Sequence, residues 1–149
     1  MMDDTTYIEK AIALSRKSYE EGNFPAGAVL VKDGVVLAEA VSSPYPNLLH
    51  ADGKALSAAY AEHGPLDGVT LYVGMEPCIM CISMLYWAGV RRVVYALAKN
   101  NLSGDYYESH SDLQDIYTRF NEKIEFVLYP EYGPEVLQIV KEWEDKYMR

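Results

Sequence analysis

The sequence predicts an α/β chain, a three-layer α/β/α sandwich around a five-stranded mixed sheet. Three observations carry that expectation. Two apolar, β-branched runs flank Asp33-Gly34, the dipeptide of a tight antiparallel hairpin. Further along, strand-like runs alternate with helical stretches, which implies parallel neighbours joined by crossovers. The 149 residues contain no repeat, low-complexity segment or Ser/Gly linker, which suits a single domain over 1–149 with one core.

The elements follow in order. Thr6-Tyr7-Ile8-Glu9 has capping-box spacing, and Ile8, Ala11, Ile12, Ser15 and Tyr19 then recur at helical spacing until Gly22. GAVLVK and VVLAEAV are the hairpin strands, and residues 42–47, SSPYPN, read as a loop. The Ala-rich stretch 50–62 is a helix, and VTLYVGM (69–75) is a buried strand. Pro77 stands where helices begin, so 78–87 is the next helix, ending near Gly89. Met75, Met80 and Met84, with Leu85, Tyr86 and Trp87, are expected to fill the core between sheet and helix. RRVVYAL (91–97) is a fourth strand and 99–110 a loop. A helix near 113–120, a short strand IEFVL and a last helix from Pro134 complete the chain. Val136, Leu137, Val140, Trp143 and Tyr147 give that last helix one apolar face.

Composition narrows the function classes. Half of the residues are hydrophobic and 23% are charged, which excludes wholesale disorder and fibrous classes. No apolar run approaches the ~20 residues of a membrane span, and the polar start MMDDTTYIEK is unlike a secretory signal, so the expected address is cytoplasmic, with no membrane partner. Thirteen Lys and Arg against 22 Asp and Glu give a net charge of −9. With no basic stripe, a small diffusible ligand is expected and nucleic acid is not.

The chemistry gathers at two strand-to-helix junctions, where α/β sheets place their ligands. Cys78 and Cys81 admit three readings: half of a metal site, a redox dithiol, or two small core residues. His50 opens the preceding helix. Two thiolates and one neutral imidazole neutralise Zn²⁺ and leave a fourth position open, as catalytic zinc requires. Spacing of i, i+3 puts both sulfurs on one side of a helical turn, whose positive end favours thiolate. His63 and His110 read as surface or loop residues.

His50-Ala51-Asp52, followed across a strand by Pro77-Cys78-Ile79-Met80-Cys81, resembles the zinc-dependent cytidine deaminase superfamily, whose pattern is H-x-E…P-C-x-x-C. Phe24 to Val31, Leu71 to Val73 leading into Glu76-Pro77-Cys78, and Arg92 to Tyr95 are similar to its tRNA adenosine deaminase and guanine deaminase branch. The likeness covers roughly residues 5 to 105. It implies a cytidine deaminase-like fold, a homodimer, Zn²⁺ on His50, Cys78 and Cys81, and hydrolytic release of ammonia from an amino-heterocycle. Asp52 would move protons while the backbone of Ala51 and the Pro77–Cys78 turn orient the ring.

One position departs from the pattern. Asp52 stands where the family has glutamate, and its side chain is one methylene, about 1.5 Å, shorter. Proton transfer wants heavy atoms within about 2.6–3.2 Å, so the shortening bears directly on the shuttle. As a bland alternative, Asp52 is a first-turn acid that stabilises a helix end. Ser42 stands near a position where tRNA adenosine deaminases carry a base-contacting asparagine, and Tyr86-Trp87-Ala88 resembles guanine deaminases more closely. In related families the late loop helps to close the pocket, which makes Asp105 and Tyr106 candidate substrate contacts. A free nucleobase, nucleoside or related amino-heterocycle is therefore expected, guanine deaminase-like. The alternatives are an RNA-editing enzyme or subunit, and a catalytically silent, zinc-stabilised binding relative.

Overall fold

The computed structural model describes residues 3–148; the first two residues of the polar N-terminal stretch lie outside them. Helix α1 (Asp4–Glu20) leads into β1 (Gly27–Lys32) and β2 (Val35–Val41), then α2 (Ala51–His63), β3 (Thr70–Val73), α3 (Ile79–Ala88) and β4 (Arg92–Tyr95). After two short 3₁₀ turns come α4 (Gln114–Tyr117), β5 (Glu125–Leu128) and α5 (Gly133–Tyr147). The strands lie in the order β2-β1-β3-β4-β5. β1 is antiparallel to both β2 and β3, while β3, β4 and β5 run parallel. This is the predicted mixed sheet.

Its hairpin turns at Asp33 and Gly34, both with positive φ (51° and 76°), the type I′ geometry that matches strand twist. Side-chain alternation then sorts the core into two layers. Ala28, Leu30, Leu71, Val73 and Val93 pack with Ala55, Leu56, Ile82 and Leu85 of α2 and α3. Val29, Val31, Tyr72 and Val94 face Ile8, Ala11 and Ile12 of α1 and Val136, Ile139 and Val140 of α5. α1 comes so close to the start of β1 that a Cβ on Gly27 would lie 2.7 Å from the Ala11 carbonyl oxygen, so only glycine fits there.

Several expectations are corrected. α1 is capped by Asp3, whose side chain accepts from the Thr6 N–H, so Thr6 lies inside the helix and heads no capping box. An acid three residues upstream reaches the free N–H groups first. The 99–110 segment contains 3₁₀ turns at Lys99–Asn101 and Gly104–Tyr106, and α4 is only one turn long. Trp87 is 82% exposed and Met80 and Met84 are half-buried, whereas Met75 and Leu85 are in the core. α3 buries only the Cys81-Ile82-Leu85-Ala88 face, and its other apolar side points outward. Tyr147, likewise, is 44% exposed at the last residue of α5.

Candidate metal centre and its cavity

His50 occupies the N-cap position of α2 and Cys78 that of α3, neither side chain bonding its helix's N–H groups, so both start helices beside the carboxyl end of β3. Pro77 turns the chain out of the strand, and one helical turn later Cys81 returns a second sulfur to the same side. His50 Nδ1 lies 3.4 Å from Cys78 Sγ and 3.7 Å from Cys81 Sγ, and the three ligand atoms fall within 4.8 Å of one another. A tetrahedral zinc with Zn–S of ~2.3 Å and Zn–N of ~2.0–2.1 Å separates nitrogen from sulfur by about 3.6 Å. The three residues therefore fit the ion. His50 Nε2 donates to the Asn47 carbonyl oxygen at 3.0 Å. A carbonyl can only accept, so the neutral ring keeps its proton there and leaves Nδ1 free for the metal.

Without metal the three groups share protons. The hydrogen bond with Cys78 pushes His50 up to about 9 against the opposing effect of burial. Hydrogen bonding from Cys81, then from His50, pulls Cys78 down. Cys81, fully buried, is pushed far up, first by Cys78 and then by burial and Asp52. Its thiol points at Asp52 Oδ1, 3.0 Å away. Asp52 is only 8% exposed, so its carboxylate sits in the same dry corner as the sulfurs.

These groups open onto a cavity of about 320 Å³. The structure brings every predicted site residue except Cys81 to its wall: His50, Ala51, Asp52, Pro77, Cys78, Ser42, Asp105 and Tyr106. Cys81 lies directly behind. Sequence reasoning missed Asn47, which also donates to Ser42 Oγ at 3.0 Å, although its place three residues before His50 was a usable signal. It missed Glu76 too. Burial raises the Glu76 carboxyl, and its Oε1 accepts from the Lys99 N–H at 2.8 Å. Tyr107, whose phenol burial raises strongly, donates to the Glu76 carbonyl oxygen at 2.7 Å.

Glu108 gave no local signal at all. Its two carboxylate oxygens accept from the N–H groups of Ile79 and Met80, at 3.1 and 3.0 Å, and cap α3 from a distant loop. Burial works against its charge, yet those N–H groups hold the carboxyl below the usual range.

Residues 1–97 match the family described as cytidine and deoxycytidylate deaminase zinc-binding region. The chain is 31% identical over 102 residues to a probable cytosine deaminase of Schizosaccharomyces pombe, covering 66% of this chain and 63% of that one. It is 36% identical over 101 residues to a guanine deaminase of Bacillus subtilis, covering 64% and 65%. Each match thus spans less than two thirds of the relative's length. A solved tRNA deaminase that edits A to I at the wobble position superimposes with a TM-score of 0.68 at 26% identity, over 84% of this chain and 98% of that one. Among the described residues no helix is long and apolar enough to cross a membrane.

Proposed function

The chain belongs to the cytidine and deoxycytidylate deaminase zinc-binding family, and from that premise we propose that it is a hydrolytic deaminase of a free nucleobase, nucleoside or related amino-heterocycle, most like a guanine deaminase. One observation carries the reading. Three atoms have the spacing of a tetrahedral site, and two of their residues, His50 and Cys78, share with the buried Asp52 the wall of one cavity of ligand size. Bound zinc supplies a Lewis acid and an acidified water there.

The chain's own residues do the rest. His50, Cys78 and Cys81 hold the ion, and the Asn47 carbonyl fixes the imidazole. Asp52 would carry the two protons of the attacking water in turn, the first to the ring nitrogen and the second, from the added hydroxyl, to the departing amine, which leaves as ammonia. Ala51 and Pro77 flank the reacting ring on the walls, with Ser42, Asp105 and Tyr106 as further contacts. Release of ammonia from a panel of amino-purines, amino-pyrimidines, pterins and triazines tests the reading, with Asp52→Ala as control. No turnover on any of them would refute it.

One contact favours a second reading. Asp52 Oδ1 lies against Cys81 Sγ, so the shorter carboxylate is engaged with a ligand sulfur. A zinc-bound Cys81 has no proton to donate, so this hydrogen bond belongs to the metal-free protein. A carboxylate resting beside the sulfur suits a zinc-stabilised, catalytically silent relative, and the same panel separates the two.

The partner is a second copy of the chain. α3 has no charged residue, and its outward stripe Met80, Ser83, Met84 and Trp87 recurs at i, i+3, i+4, i+7. On a chain of net charge −9, an uncharged apolar face is where two copies meet without like-charge repulsion.

A further inference from the structure

We propose that the cavity takes unphosphorylated flat heterocycles, uncharged or cationic, and that its own carboxylates turn nucleotides away, an inference that rests on the deaminase reading of this site. Proteins hold phosphate with Arg or Lys, or with free N–H groups at a helix start. Neither is offered here. None of the described residues lining the cavity is a lysine or arginine. The nearby Lys54 ammonium donates to the Ser42 carbonyl oxygen at 3.1 Å, and that of Lys99 to the Ser111 carbonyl oxygen. At the start of α3 the N–H groups of Ile79 and Met80 already carry Glu108. α2 has Asp52 in its first turn, which answers that helix's positive end.

In place of cations the wall carries four carboxylates. Asp52 and Glu76 lie deep, while Asp105 and Glu108 are exposed at the rim. A dication held by two thiolates and a neutral imidazole adds no net charge to cancel them. A phosphate entering past Asp105 and Glu108 is repelled, whereas N–H donors of a neutral or protonated ring find acceptors.

The remaining wall suits a flat ring. Phe24, Tyr45 and Tyr106 line the cavity, with Tyr106 edge-on to the other two at 5.1 and 5.7 Å between ring centres. Trp143, 2% exposed on α5, sits behind them, 5.1 Å from Phe24 and 5.4 Å from Tyr45. The last helix thereby fixes three aromatic walls, whose faces attract a heterocycle and more strongly a cationic one.

The test is calorimetric titration of the zinc-containing protein with inosine and uridine against their 5′-monophosphates, ligands that lack the amine and are not consumed. At low salt each nucleoside is expected to bind at least about tenfold more tightly than its monophosphate. Added salt narrows that gap through screening, and the double variant Asp105→Asn/Glu108→Gln narrows it by roughly threefold or more. The Glu108→Gln exchange keeps one of the two acceptors of the α3 cap. Monophosphates that bind as tightly as nucleosides overturn the proposal. So does a gap that neither salt nor the variant moves, and so does failure of both nucleosides to bind. The intact preference in a protein that releases ammonia from no amine refutes the deaminase reading and leaves the selectivity standing.

Discussion

At His50 one ring nitrogen faces two sulfurs and the other is tied to the Asn47 carbonyl, so the ring is oriented for metal before any ion arrives, and the ion has only to displace the proton shared at Nδ1. Freshly purified protein is expected to carry about one zinc per chain, and His50→Ala or Cys78→Ser to lose it. Metal analysis finding no transition metal in the unchelated parent would contradict the ligand set. Asp52 touches a ligand sulfur without being required to bind the ion. Asp52→Ala should therefore keep zinc and fold but lose about 10²- to 10⁴-fold in the rate of ammonia release. A variant as fast as the parent removes Asp52 from the mechanism. The candidate ligands were legible in the sequence because zinc restricts both residue type and spacing, and the spacing of Cys78 and Cys81 is local. Glu108 was not legible. Its reach to α3 depends on the path of the 99–110 segment, which Tyr107 and Lys99 set by bonding to Glu76 across the fold.

Among the elements, α3 shows what periodicity reveals and what it hides. Pro77 and Gly89 bracket it correctly, Gly89 taking a φ of 100° after the last turn. Its faces could not be told apart, because an apolar helix carries no polar stripe to mark the outside. Trp87 was consequently placed in the core, while the structure leaves it 82% exposed one turn beyond Ser83 and Met84. The strands were easier to read, since β1, β3 and β4 are buried on both faces and appear as unbroken apolar runs. If the α3 stripe joins two copies, Trp87→Glu should convert a dimer to monomers at micromolar concentration, because a buried unpaired charge is placed on both sides of an isologous contact. Sedimentation velocity decides it. Should the parent itself sediment as a monomer, the stripe has another use.

Across the whole molecule, α1 is the piece that ties the layers together, and Asp4 in its first turn is the knot. Its carboxylate accepts both Arg92 Nη groups at 2.9 and 2.7 Å, the Tyr72 hydroxyl at 2.7 Å and the Tyr129 hydroxyl at 2.8 Å. Those partners come from β4, β3 and the residue after β5. At its other end α1 is joined to α5 by the paired Arg16–Glu142 contact at 2.9 and 3.0 Å. The Arg92 guanidinium holds the Asp4 carboxyl well below the usual carboxylate range, against the opposing effect of burial. A folded-state value below the unfolded one means that the stabilisation is complete above the unfolded value of ~3.9 and is lost as pH falls through and below it. The Asp4 side chain is 16% exposed and that of Arg92 34%, so solvent screens part of the pair. Asp4→Asn is accordingly expected to cost about 2 kcal/mol at pH 7, and the difference from the parent to shrink below about pH 4. Urea unfolding of both proteins at pH 7 and pH 3 measures it, the subtraction removing the other carboxylates. A difference that stays the same at the two pH values would show that the side-chain shape of Asp4, and not its charge, joins α1 to the parallel strands.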